Sequence, residues 1–178
     1  MLTHLLQIAS FKSKPQNMVA PLWSILVASL FLVVIQAYAL SFTPGNELLR
    51  MAFASAIKLV VIAGLMYGWM RSVNCNTHFA ASLLVIVVIS VLSEVVKLPL
   101  GMMIKDTRQT AEVIKAIALS LPYWAVIAWQ YSVWYYVFKE VSQRSKAEVV
   151  TVMVSLVLIS EVAGSVLSKV GLPVEGFS

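Results

Sequence analysis

A chain of 178 residues with 60% hydrophobic and only 12% charged residues falls well below the charge content of soluble domains, about 25%. Its mean hydropathy is +0.89, which points to lipid as the main solvent. The net charge of +5 comes from Lys and Arg scattered at segment ends. Without a basic run there is no nucleic-acid footprint, and the pattern suits anchoring to headgroups. A single cysteine, Cys75, excludes an internal disulfide.

Residues 2–11 place Leu2, Leu5, Leu6 and Ala9 on one helical face, the spacing of a short helix lying on the membrane surface. Lys12 and Lys14 precede the first long apolar stretch, Leu22–Leu40, but no clear small-residue cleavage site follows, so the N-terminus does not read as a removable signal. Pro44-Gly45 predicts a turn over Ser41–Asn46. The next spans are expected at 48–70 and 79–98, separated by the polar segment Arg71–His78, with Pro99 and Gly101 ending the latter. Asp106 followed by Gln109 resembles a capping box opening the next helix. Ala116–Phe138 is uncharged and reads as the clearest span, since hydrocarbon roughly 30 Å thick needs about 20 apolar residues. A kink is expected at Pro122, and the last span covers 148–168. Rings near both ends of these stretches match interfacial belts: Trp23 and Tyr38, Phe53 and Trp69, Tyr123 and Trp124 with Trp134, Tyr135 and Tyr136.

The fold class is therefore all-α: one polytopic membrane domain over 1–178, a bundle of five transmembrane helices with a short N-terminal interfacial helix. Orientation rests on Lys12 and Lys14 against the nearly neutral 41–49 turn, which puts the N-terminus in the cytoplasm by the positive-inside rule.

Three charges lie inside expected spans: Lys58, Glu94 and Glu161. A charge at depth costs about 2.5–3.5 kcal/mol on insertion scales, so each should face protein or water. Lys58 sits about ten residues into its helix, roughly 15 Å deep, and Glu161 about seven residues, roughly 10 Å, from the end of its own. Alternating topology brings both to the same half of the bilayer, where a Lys58–Glu161 pair is expected. Gly64 and Gly68 form a GxxxG, and Ser160, Gly164 and Ser168 a four-residue stripe of small side chains. Such positions let helices approach closely. Packing inside the monomer is the reading adopted, with self-association as the alternative.

Cys75 and His78 share a turn, but one cysteine and two histidines cannot complete a tetrahedral zinc site. The chain has no HExxH, GxSxG, CxxC or glycine-rich phosphate loop. No catalytic residue, cofactor or metal is expected. Phe11-Lys-Ser-Lys-Pro-Gln-Asn17, Arg71, His78-Phe79, Pro99 and the stretch from Trp129 to Trp134 resemble a group of small, uncharacterised five-helix inner-membrane proteins of proteobacteria, more distantly similar to the Yip domain. The acidic and tyrosine-glycine signatures of eukaryotic Yip proteins are missing, so the resemblance does not extend to trafficking. It implies a five-helix bundle in a bacterial inner membrane and supplies no catalytic residues. The expected function is a non-enzymatic scaffold or assembly subunit whose partners are the lipid bilayer and another membrane protein or a second copy, with no nucleic acid. The alternative is a small transporter or proton-coupled permease component that uses Lys58 and Glu161.

Overall fold

The computed structural model describes residues 2–15, 18–41, 48–109 and 113–170. Its elements are helical throughout: α1 (Leu2–Ala9), α2 (Leu22–Ser41), α3 (Leu48–Ser72), α4 (Phe79–Gln109), α5 (Val113–Ser142) and α6 (Lys146–Val170), with one 3-10 turn at Asn76–His78. The expected turn at 41–46 lies outside the described residues, apart from Ser41. Among the described residues, four helices, α2, α3, α4 and α6, are long and apolar enough to cross a membrane. The 30-residue α5 has the length but is not among them, although its uncharged core looked the plainest in the sequence. Pro122, Gln130 and its many Trp and Tyr residues dilute its apolarity.

Two helix ends expected from the sequence are displaced. Pro99 does not stop its helix; α4 continues to Gln109 with the proline inside it. Proline removes a single N–H, and the loss is tolerated where neighbouring helices and local adjustment hold the backbone. Asp106 and Gln109 accordingly lie in the last turn of α4 rather than opening α5. A working N-terminal cap occurs instead at Ser145, whose Oγ accepts from the Glu148 N–H at 3.2 Å, the first half of a capping box.

Three helices end on residues with positive φ: Phe11, Asn74 and Gln143. After α1, the Lys12 N–H bonds to Gln7 O and the Phe11 N–H to Ile8 O. After α3, Cys75 N–H reaches Met70 O and Asn74 N–H reaches Arg71 O. Both are Schellman closures. A bulky Phe11 is an uncommon occupant of this conformation; its ring packs edge-on against Tyr136 at 5.3 Å.

The five long helices close into a ring in the order α2, α3, α6, α5, α4, each packing on the next. Helix α4 is the most enclosed, with Leu83, Leu84, Val85, Ile86, Val87 and Ile89 all buried, as expected of a helix apolar on every side. Helix α5 runs antiparallel to α4 between Val141 and Tyr123. Cys75 Sγ lies 3.3 Å from Val141 O at one end, and Gln130 Nε2 lies 3.2 Å from Ser90 Oγ in the middle. At the other end Gly101 faces the Tyr123 ring. The α5–α6 seam is the thinnest in the ring.

The N-terminal segment does not lie apart from the bundle. Leu5, Ile8 and Ala9 are buried in the common core, whereas Leu6 faces outward, so the packed face is rotated from the expected Leu2, Leu5, Leu6, Ala9 stripe. Trp129 Nε1 donates to Ala9 O at 3.3 Å, Tyr136 Oη to Ser13 O at 3.2 Å, and Lys14 pairs with Glu140 at 3.2 Å. These contacts carry residues 9–14 along α5.

Candidate functional site

Ser55 and Lys58, three residues apart, share one face of α3. Ser90, Glu94 and Lys97 share one face of α4, Gln130 and Trp134 one face of α5, and Val157, Ser160 and Glu161 one face of α6. In the ring these faces, with Gln36 of α2, converge on a central cavity of about 190 Å³, room for several waters. All three charges singled out in the sequence line it.

Two ion pairs border the cavity. Lys58 Nζ lies 2.6 Å from Glu161 Oε2, joining α3 to α6, and Lys97 Nζ lies 2.7 Å from Glu94 Oε1 within α4. The Lys97–Glu94 pair is well enclosed. The Lys58–Glu161 pair is lopsided: the lysine side chain is 24% exposed and the glutamate 61%. Glu161 is thus a charge at the rim, not the buried one expected. Its carboxylate accepts from Lys58 with one oxygen and leaves acceptor capacity facing outward.

Gly164 makes the Lys58 crossing possible. It follows Glu161 by about one turn, and a Cβ there would stand 2.5 Å from Lys58 Cγ and 2.7 Å from Cε. The lysine stem therefore lies directly over the glycine. Ser160, buried one turn earlier, donates to Val157 O at 2.9 Å. Ser160 and Gly164 thus face the α3 side, while the Ser168 side chain lies outside the described residues. The GxxxG of α3 is a correction: Gly64 and Gly68 both face outward, with nothing within 4 Å of a Cβ placed on either. Among the described residues they pack against no other helix.

Sequence reading missed most of the polar lining. Gln130 donates to Ser90 Oγ, and both side chains are buried. Ser55 Oγ and Trp134 Nε1 are buried without a hydrogen-bond partner, at 1% and 5% exposure. Trp134, expected in an interfacial belt, therefore points inward. The available signal was one polar residue per helical turn inside otherwise apolar stretches. Cys75 Sγ is held against Val73 O and Val141 O, and among the described residues no three His, Cys, Asp or Glu side chains gather. Compared with known proteins, the chain matches no family model, no curated protein and no solved structure.

Proposed function

We propose that the protein is a small membrane transporter or permease component whose solute path runs through the central cavity. The observation that carries this reading is the cavity itself. A scaffold bundle gains little from setting two ion pairs, Lys58–Glu161 at the rim and Lys97–Glu94 inside, around open space, because polar groups are costly in a medium of low polarity. A solute path needs them. Lys58 and Glu161 hold the rim between α3 and α6, and Gln36 and Gln130 supply neutral hydrogen-bonding positions along the lining.

In this reading α5 is a fifth crossing. Its antiparallel run beside α4, from the Val141 end to Tyr123, supports the same depth range for both. The ring then passes through the bilayer five times, with the N-terminus in the cytoplasm and the C-terminus outside. A bacterial inner membrane accords with the resemblance carried by Phe11–Asn17 and His78-Phe79. A role as a subunit of a larger membrane assembly is favoured by one observation, the outward Gly64–Gly68 face, where a second helix could approach closely. The two roles are compatible.

Water access separates a solute path from a dry bundle. In a Cys75→Ser background, Gln36→Cys and Ile127→Cys, half-buried positions on the cavity lining, should react with a small charged methanethiosulfonate reagent in intact membranes. A thiol at Met66, buried in the apolar core, should not. Thiols at 36 and 127 that stay inert until the protein is unfolded would refute the solute path and leave the scaffold role.

A further inference from the structure

The two ion pairs bordering the cavity are built differently. Lys97 and Glu94 stand one turn apart on α4, and both side chains are enclosed, at 12% and 16% exposure. Lys58 and Glu161 stand on different helices, the lysine 24% exposed and the glutamate 61%. The carboxylate is the outer partner and the ammonium the inner one. Of the four charges on the lining, Glu161 is thus the one a proton from solvent reaches most readily.

With both pairs made, the lining carries equal numbers of each sign and offers a charged solute no net attraction. Protonation of Glu161 leaves two positive charges against one negative. The excess falls on Lys58, because Lys97 keeps Glu94 as its partner. The Lys58 stem runs directly over Gly164, where a Cβ would stand 2.5 Å from Cγ. Confined there between α3 and α6, it holds the freed ammonium at the cavity. An uncompensated charge at bilayer depth is costly, and an anion in the solute path relieves that cost.

Among the described residues, the charged and titratable groups facing Glu161 across the cavity are Lys58 on α3, Glu94 and Lys97 on α4, and Tyr131 on α5. Lys58 alone bonds to it. Even a Lys58 that turns to share Glu94 leaves the lining with one excess positive charge. The sign of the switch therefore does not depend on where the freed ammonium settles.

We infer that Glu161 is the proton-coupling residue of the solute path and that the path takes a small monovalent anion. The proton adds to a carboxylate oxygen of Glu161, Lys58 stays charged and binds the anion, and both leave together, so a cycle moves no net charge. A cation is disfavoured in either state. With Glu161 ionised it must displace a tethered ammonium, and with Glu161 protonated it meets excess positive charge. A space of about 190 Å³ suits a short carboxylate or sulfonate. The inference rests on the solute path proposed above and names its substrate class and coupling ion.

The full chain carrying Cys75→Ser and Gln36→Cys, in liposomes, tests it with two methanethiosulfonate reagents of opposite charge, sulfonatoethyl and trimethylammonioethyl. Both attack the same thiolate, so the ratio of their rates cancels the thiol's own titration and reads the sign of the cavity. Lowering the pH should raise the anionic-to-cationic ratio about tenfold, the scale of one unit charge across a small half-hydrated space. Glu161→Gln, which fixes the neutral form, should hold the ratio high at every pH. Lys58→Met combined with Glu161→Gln should hold it low, since the remaining pair cancels. Where Glu161→Gln alone fails to fold, the pH series on the intact pair and the double variant still decide. A ratio indifferent to pH and to Glu161→Gln, with both reagents reacting, would overturn the inference and leave the solute path standing. A pH dependence that survives in the double variant would assign the effect to another group and overturn it too. Failure of both reagents to react would refute the path itself, and the inference with it.

Discussion

Helix α6 presents two seams of opposite construction. Toward α3 it is closed by chemistry: Gly164 admits the Lys58 stem, Glu161 receives its ammonium, and Ser160 keeps the backbones close. Toward α5 it is barely closed at all, and past the tight 143–145 connection the helices part around Tyr131 and Val157. The difference teaches where the ring can give. A seam tied by an ion pair over a glycine resists separation, whereas one lined by side chains that lipid solvates equally well has no hydrophobic drive to stay shut.

The largest test of this contrast is all-or-none. If α5 crosses the bilayer beside α4, the α5–α6 seam faces lipid, and an alkaline-phosphatase fusion after Ser178 is active while a fluorescent-protein fusion there is dark. The reverse result would leave α5 outside the membrane or invert the chain, and the contrast between seams would lose its setting.

Next in size is the ion pair. Lys58→Met strands the Glu161 carboxylate at bilayer depth, with an expected destabilisation approaching 3 kcal/mol on insertion scales. Combining it with Glu161→Gln should recover most of that, because removing both partners of a pair leaves no uncompensated charge. Unfolding of single and double variants in bilayer-like discs gives the comparison. If the pair serves only to fasten α3 to α6, the double variant recovers any cellular phenotype with its stability; if it serves the solute path, stability returns and activity does not.

Smaller effects separate the glycines. Gly164→Leu should cost about 1–3 kcal/mol, the range for overpacking, since its Cβ would collide with the lysine stem. Gly68→Leu should change monomer stability by no more than about 0.5 kcal/mol, because nothing stands against that position. A large loss from Gly68→Leu in the monomer would contradict its outward placement, and a change confined to self-association would identify the α3 face as a contact between copies.

The sequence carried the helix positions well because hydropathy dictates them, and depth arithmetic alone placed Lys58 level with Glu161. It failed where tertiary neighbours decide. Pro99 reads as a stop in isolation, yet α4 is supported on several sides. Gly64 and Gly68 permit close packing without saying which helix uses it, and among the described residues none does. Trp134 looked like an interfacial anchor because rings cluster near it; only the assembled ring of helices shows its N–H turned inward. Ala116–Phe138 reads as the plainest span for lacking charge, while the rings, Pro122 and Gln130 of α5 are what suit it to line a cavity.

The most direct measurement is an experimental structure in a lipid nanodisc, read at the centre of the ring. The account predicts open space bounded by Lys58, Glu94, Gln130 and Glu161, with density for water or a solute among their polar groups. Helices drawn together until side chains fill that space would contradict it.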